Sequence, residues 1–297
     1  MPFQRFQFKA MGSPCEILLS GQKTSSMEQA YLVAKEEIAR LETKYTRFQT
    51  TSLTSKINNA AGKHQVDIDT ETSKLLNYAD TVYTQSDGLF DITSGVLRKA
   101  WDFKSGRVPT DSELAPLLEL VGWTSIERTD QSVYLPKVGM QIDFGGFVKE
   151  YAADVAASKC IDSGIQSGLV NLGGDIRVIG PHPNGEGWRT GIQHPRKLDK
   201  TIAKLNIYEG GIATSGDYER YMLVDGRRYC HILNPKTGMS SQLKHASMSV
   251  IADSCLVAGS CATIATLKSD TEPNWLDELQ LPYLSVDQTM TLKGPLS

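Results

Sequence analysis

The sequence predicts an α+β fold, and three observations carry that reading. Apolar residues recur at helical spacing in several long segments. Short strand-like runs bounded by glycine turns crowd the second half. The two kinds of element mix without strict β-α alternation, which argues against a doubly wound parallel sheet.

In chain order, Phe3, Phe6 and Phe8 sit among polar neighbours, and Cys15 to Leu19 is a short apolar run. They read as a strand pair around the turn Met11-Gly12-Ser13-Pro14. Ser26-x-x-Gln29 has the form of a capping box, opening a helix with Ala30, Val33, Ala34, Ile38, Leu41 and Tyr45 on one face. A polar segment, Thr50 to Asn59, reads as loop plus short helix. A second long helix runs from Thr70 to Gln85 and stops before Asp87-Gly88. Residues 94–103 and Asp111 to Leu120 read as helical.

Strands are then expected at Ser125 to Arg128, Ser132 to Leu135 and Gln141 to Phe144. Gly145-Gly146 opens a long helix through Ile161. Further strands are expected near Gly168 to Asn171, Asp175 to Ile179, Trp188 to Gln193 and Thr201 to Tyr208. Gly211 to Thr214, Tyr218 to Val224 and Arg227 to Ile232 continue the series. A helix over Ser254 to Leu267 and a hairpin-like tail, Pro282 to Thr291, close the chain.

The 297 residues are 40% hydrophobic and 22% charged, ordinary for a water-soluble globular protein. A net charge of -3 gives no basic footprint for nucleic acid or an anionic membrane. No apolar run reaches the length of a membrane span. The start, Met1-Pro2-Phe3-Gln4-Arg5-Phe6, has no apolar h-region, so a cytoplasmic location is expected. Five scattered cysteines with no C-x-x-C pair fit reduced thiols.

Candidate chemistry gathers at glycine-flanked turns. Asp143-Phe144-Gly145-Gly146-Phe147-Val148-Lys149 joins a strand to a helix start. A helix N-terminus binds anions readily, and Lys149 adds a full charge. A tight connection with a solvated lysine explains the same residues. Asn171-Leu172-Gly173-Gly174-Asp175 is a hairpin turn by composition. Leu89-Phe90-Asp91-Ile92-Thr93 precedes a helical segment that Asp91 or Thr93 would cap. Trp101 is expected in the core. Asp217, Glu219 and Arg220 read as ordinary strand-edge charges. His231 is the best catalytic candidate: imidazole transfers protons near neutral pH. It is followed by Asn234-Pro235-Lys236-Thr237-Gly238 and preceded by the turn Thr214-Ser215-Gly216. The other histidines and the cysteines show no zinc spacing.

These motifs, in this order, resemble the ApbE family of FAD:protein FMN transferases, from Met11-Gly12-Ser13 to Thr263. The resemblance implies one ApbE-like, T-fold-like domain over residues 1–297, with mixed or antiparallel sheets, packed helices and a flavin cleft between two subregions. It implies transfer of FMN from FAD to a threonine or serine hydroxyl of an acceptor flavoprotein, with release of AMP and a requirement for a divalent metal, usually Mg2+. By position, FAD contacts fall on Met11, Phe48, Leu89, Phe90, Asp91, Asp143, Lys149, Thr214, Ser215, Gly216 and Ile232. Ser52, Ser55 and Asn58 match a polar pattern beside Phe48. His231 matches the histidine that assists transfer; the Gly146 carbonyl and Thr263 match metal ligands.

One departure stands out. The family pattern Ala-Asp-Ala-x-Ala-Thr reads Ala258-Gly259-Ser260-Cys261-Ala262-Thr263 here, with glycine in place of the metal-binding aspartate. Glu150 stands where relatives mostly have glycine, and its carboxylate either pairs with Lys149 or reaches the metal region. The missing acid opens an alternative: a non-catalytic FAD-binding protein, or an FAD diphosphatase. If metal affinity is limiting, Gly259→Asp is expected to raise activity.

Overall fold

The structure, a computed structural model, describes residues 3–297. Met1 and Pro2, with which the reading of the N-terminal start begins, lie outside the described residues.

The chain opens with β1 (Phe3–Ala10) and β2 (Ser13–Ser20), paired antiparallel with Ala10 opposite Ser13. The hairpin turn is Met11-Gly12, with φ of 51° and 72°. Both residues are left-handed, as two-residue turns between twisted strands require. Methionine is an uncommon choice there, and its N–H is held by Glu42 Oε1 at 2.7 Å. The helix α1 (Thr24–Tyr45) begins two residues before the expected box. Its N-cap is Lys23 with no side-chain cap, so Ser26 and Gln29 lie inside the helix. Burial of Met27, Ala30, Ala34, Ile38, Leu41 and Tyr45 holds α1 in place, while Val33 is half-buried at the margin.

Then come α2 (Leu53–Ala60), the short β3 (Val66–Asp67) and α3 (Thr70–Gln85), capped by Asp69. The expected helix at 94–103 is a 3-10 stretch, Ile92–Lys99. α4 (Asp111–Leu118) carries a true capping box between Thr110 and Glu113. β4 (Glu127–Arg128) and β5 (Ser132–Tyr134) follow. Residues 141–144 do not form a strand. Asn58 bonds both polar backbone groups of Ile142, at 2.8 and 3.0 Å, in place of a ladder. A 3-10 turn, Phe144–Gly146, leads into α5 (Val148–Asp162).

The remainder is β6 (Ser167–Leu172), β7 (Asp175–Gly180), β8 (Trp188–His194), β9 (Lys197–Ile207), β10 (Gly211–Gly216), β11 (Tyr221–Val224) and β12 (Arg227–Cys230). Then follow β13 (His245–Ala252), α6 (Cys255–Lys268), α7 (Trp275–Glu278), β14 (Tyr283–Asp287) and β15 (Leu292–Lys293). Strand β13 was not among the expected elements. Its signal is the period-two run Ala246, Met248, Val250, Ala252, all buried.

Eight strands form one antiparallel sheet in the order β1-β2-β6-β7-β10-β13-β14-β15. Helices α1, α5 and α6 pack on one face over the main core, which includes Ile17, Leu41, Phe144, Phe147 and Val250. The β8–β9 ribbon covers other apolar side chains of the sheet, with Trp188, Ile192 and Ile207 against Ile176, Val178 and Ile212. A satellite cluster joins Trp101 and Leu114 to Met222 on the β11–β12 hairpin. Trp101 is core, as expected, and its Nε1–H donates to the Gly238 carbonyl at 2.8 Å. The fold is therefore α+β, with helices gathered on one face of an antiparallel sheet.

Candidate active site

One cleft of about 640 Å³ lies between the β1–β2 turn, the end of α1, the segment Leu89–Arg98, the start of α5, the end of β10, and the stretch around His231. Met11, Phe48, Leu89, Phe90, Asp91, Asp143, Gly146, Lys149, Thr214, Ser215, Gly216, His231, Ile232 and Thr263 all line it. Thus the residues matched to flavin contacts, metal ligands and the histidine share a single concavity. Ser52, Ser55 and Asn58 do not. Ser52 caps α2 through the Ser55 N–H at 3.0 Å, and Asn58 clamps Ile142. They shape the wall that carries Asp143 rather than the cleft surface.

Each lining residue has a local cause. Asp91 is buried and caps the 3-10 stretch, accepting from the Thr93 N–H and hydroxyl at 2.7 and 2.6 Å and from the Trp123 N–H at 3.3 Å. Burial raises its carboxyl above the usual range, against these three bonds. Asp143 accepts from the Gly145 N–H at 2.8 Å and so shapes the turn into α5. Gly146 must be small, because a Cβ there would stand 2.9 Å from the Phe90 ring. Asn171-Leu172-Gly173-Gly174-Asp175 is the β6–β7 hairpin turn, as its composition indicated. It also delivers buried Asp175 to the Lys149 ammonium, 2.6 Å away. Phe48 is 81% exposed, with the Arg47 guanidinium 4.8 Å from its ring centre.

The two ends of the cleft differ in charge. At one end, Lys149 is surrounded by Asp175, Glu150 and Glu219. Burial works against its charge, but those carboxyls outweigh it and hold the ammonium above the usual lysine range. Burial and the nearby Asp175 raise the Glu150 carboxyl. Its Oε2 is buried and has no hydrogen-bond partner among the described residues. Thr263 and Gly259 lie on α6 beside this group.

At the other end, Arg47 and Arg98 reach Asp143 at 3.3 and 3.6 Å. His231 follows β12, and its backbone N–H donates to the Arg220 carbonyl at 2.9 Å. Burial first, then the charges of Arg98 and Arg220, pushes its pKa down to about 4. The ring is therefore neutral at pH 7, the form that can accept a proton. Its Nδ1 is buried without a hydrogen-bond partner among the described residues.

The reading of 217–220 as edge charges needs correction. Asp217 is buried and paired bidentately with Arg196 at 2.6 and 2.8 Å, whereas Glu219 and Arg220 line the cleft. Sequence reasoning also missed Arg47, Arg98 and Asp175. Their signal was adjacency: each neighbours or lies near a motif already singled out, but nothing local says which way the side chain turns. Cys230 is buried at the end of β12, behind the histidine, and burial raises its thiol. It has no nucleophile's environment.

No helix among the described residues is long and apolar enough to cross a membrane. No group of three or more His, Cys, Asp or Glu side chains among them forms a ready metal cage.

Comparison with known proteins fits this geometry. The chain is 30% identical over 272 residues to an FAD:protein FMN transferase of Chlamydia pneumoniae, covering 88% of this chain and 84% of that one. It is 30% identical over 245 residues to one from Vibrio cholerae, covering 79% and 72%. The crystal structure of the ApbE protein of Thermotoga maritima superposes with a TM-score of 0.90 at 28% identity, over 99% of this chain and 97% of that one. The flavin transferase ApbE of Vibrio cholerae shares the fold at a TM-score of 0.86 and 23% identity, over 100% and 98%. The ApbE family model matches residues 11–284, and the chain belongs to that family.

Proposed function

We propose that this chain is an FAD:protein FMN transferase. It takes FAD and attaches FMN to a threonine or serine hydroxyl of an acceptor flavoprotein, releasing AMP. The observation that supports this most is the gathering of the sequence-drawn residues around one neutral histidine in one cleft. The whole chain acts as one transferase unit in this reading. Five free cysteines suit a reducing, cytoplasmic setting.

The chemistry follows from the residues. The exposed Phe48 ring offers a stacking face to the flavin. Met11, Leu89, Phe90 and Ile232 supply apolar wall, and Thr214, Ser215 and Gly216 supply backbone and hydroxyl groups. Asp91 and Asp143 are acceptors for flavin or ribose N–H and O–H groups. Lys149 meets the diphosphate with a charge that its carboxyl neighbours keep in place.

The acceptor hydroxyl oxygen forms a bond to the FMN-side phosphorus. The bond from that phosphorus to the bridging oxygen breaks, and AMP leaves with that oxygen. The hydroxyl proton passes to the unprotonated ring nitrogen of His231. Such transfer depends mainly on positioning and charge stabilisation.

A divalent cation such as Mg2+ fits the residues present. The Thr263 hydroxyl and Gly146 carbonyl are hard oxygen donors, and the Glu150 Oε2 is an orphaned one beside them. When bound, the ion neutralises diphosphate charge. The acidic surroundings of Lys149 oppose a bare diphosphate, which supports metal dependence.

The test is to incubate the protein with FAD and MgCl2 and measure AMP. Release only when an acceptor flavoprotein is present, with flavin retained on denatured acceptor, is the expected result. Release without acceptor identifies a diphosphatase, and FAD binding without release identifies a binding protein. Either outcome overturns the transferase reading.

A further inference from the structure

Glycine at position 259 removes an acid, but the space it leaves is not empty. A Cβ built on Gly259 would stand 2.6 Å from Glu150 Cγ, 3.0 Å from its Oε1 and 3.1 Å from its Cδ. Carbon atoms do not approach that closely, so the Glu150 side chain occupies the place where any side chain at 259 would begin. Glu150 sits in the first turn of α5, and Gly259 lies in the second turn of α6. The two helices pack together, so a residue missing from one admits a longer residue from the other.

The position of the carboxyl is costly without a partner. Its Oε2 is buried without a hydrogen-bond partner among the described residues, and the carboxyl faces that of Asp175. The nearest cation, Lys149, is committed to Asp175 at 2.6 Å and also faces Glu219. Lys149 is thus shared among carboxyls, and Arg220 adds charge only at Glu219. Burying one carboxyl against another, with an oxygen left unbonded, carries a penalty that a native structure offsets through a proton, an ion or a ligand. Thr263, one turn beyond Gly259 on the same face of α6, and Gly146, just before α5, line the same wall.

We propose that Glu150, admitted by the absence of a side chain at Gly259, supplies the carboxylate for a divalent cation held beside Thr263 and the Gly146 carbonyl. The acid has moved from α6 to α5, and positions 150 and 259 are mutually exclusive carriers of it. This rests on the FAD-transferase reading for the role of the ion, but not for its binding. The exchange also revises the expectation for Gly259→Asp. Alone, that substitution drives its Cβ into Glu150 and does not add a ligand.

The experiment uses Mn2+ alone as probe, read from the loss of its free-ion electron paramagnetic resonance signal on titration with protein. Wild type is expected to take up Mn2+. Glu150→Gln, which keeps the shape and removes the charge, is expected to bind about 10-fold or more weakly. Gly259→Asp alone is expected to bind no more tightly than wild type. Glu150→Ala combined with Gly259→Asp, which returns the acid to α6, is expected to recover binding to within about threefold of wild type, an order-of-magnitude expectation for a replaced oxygen ligand. Thermal melting of each variant separates lost binding from lost fold.

Undiminished binding in Glu150→Gln overturns the proposal, as does a double variant no tighter than Glu150→Gln. Absence of Mn2+ uptake by wild type overturns it too. FAD binding in EDTA, followed by flavin fluorescence, is a separate arm. FAD bound normally alongside unchanged Mn2+ uptake in Glu150→Gln defeats the carboxylate exchange alone. No FAD binding with the expected Mn2+ pattern defeats the flavin reading alone.

Discussion

The two ends of the cleft solve opposite electrostatic problems. Around Lys149, one ammonium faces the carboxyls of Asp175, Glu150 and Glu219. Around His231, Arg47 and Arg98 share Asp143, Arg220 adds a further charge, and the surplus is positive. An acid-rich end suits a cation. An arginine-rich end suits an anion and keeps the imidazole unprotonated. The transferase proposal uses both: acidic groups for a cation that neutralises the diphosphate, and an imidazole that is neutral at pH 7. The difference teaches that the protonation state of this imidazole is set by its surroundings, burial first and the neighbouring arginine charges second.

The largest expected effect breaks the comparison at its basic end. His231→Ala is expected to lower flavin transfer by about 10²- to 10⁴-fold, the usual reach of a general base. FAD affinity in the variant, measured by calorimetry, should stay within a few fold. Unaltered transfer would remove His231 from the chemistry.

A structural variant comes next. Asn58→Ala leaves the polar groups of Ile142 without the partners they have at 2.8 and 3.0 Å. Each buried group left unpaired costs about 1–3 kcal/mol. Urea unfolding is the measurement, and transfer activity should fall as the Asp143 wall loosens while Mn2+ uptake at the acidic end persists. Equal losses at both ends would show that the two ends are not separable.

The third prediction sharpens the cause of the neutral imidazole. In protein free of ligand, NMR titration of His231 should give a pKa near 4 rather than the ordinary 6.5. Arg220→Met should raise it by about one unit, equivalent to about 1.4 kcal/mol. No upward movement would mean that burial alone holds the ring neutral. The sign for stability follows. The folded state resists protonating this ring, so its contribution is complete above the unfolded value of 6.5 and is lost as pH falls from there toward about 4.

The smallest effect concerns the turn behind the histidine. Trp101→Phe removes the bond to the Gly238 carbonyl at 2.8 Å while keeping an aromatic ring in the satellite cluster. A loss of about 1 kcal/mol is expected from one buried hydrogen bond, read by chemical denaturation. A loss below a few tenths of a kcal/mol would show that the Asn234–Gly238 turn stands without it.

Much of the fold was legible because its causes are local. The bounds of α3, Thr70 to Gln85, follow from an Asp69 cap and an apolar face, all within one stretch. The Met11-Gly12 and Gly173-Gly174 turns follow from residues beside them. The errors have long-range causes. Ser26-x-x-Gln29 resembles a cap, yet α1 starts earlier, since packing of Met27 against the core extends it. Gln141 to Phe144 looks extended, but Asn58 takes the backbone bonds that a neighbouring strand would have made. Strand β13 lies between β10 and β14 and is buried along most of its length. Its Ser247 and Ser249 alternate with Ala246, Met248 and Val250 as in a strand with one wet face, yet both faces are buried by neighbouring elements.

The sequence by itself determined the order of the motifs, the glycine turns and the choice of His231 among five histidines, because each depends on neighbours within a few residues. It also exposed the missing aspartate at 259. Only the tertiary structure decided where the charges point: Arg98 and Arg220 toward the imidazole, Asp175 onto Lys149, and Glu150 into the space above Gly259. The physical reason is that backbone conformation is governed at short range, whereas electrostatic fields and side-chain volume act between elements that meet only once the helices have packed on the sheet.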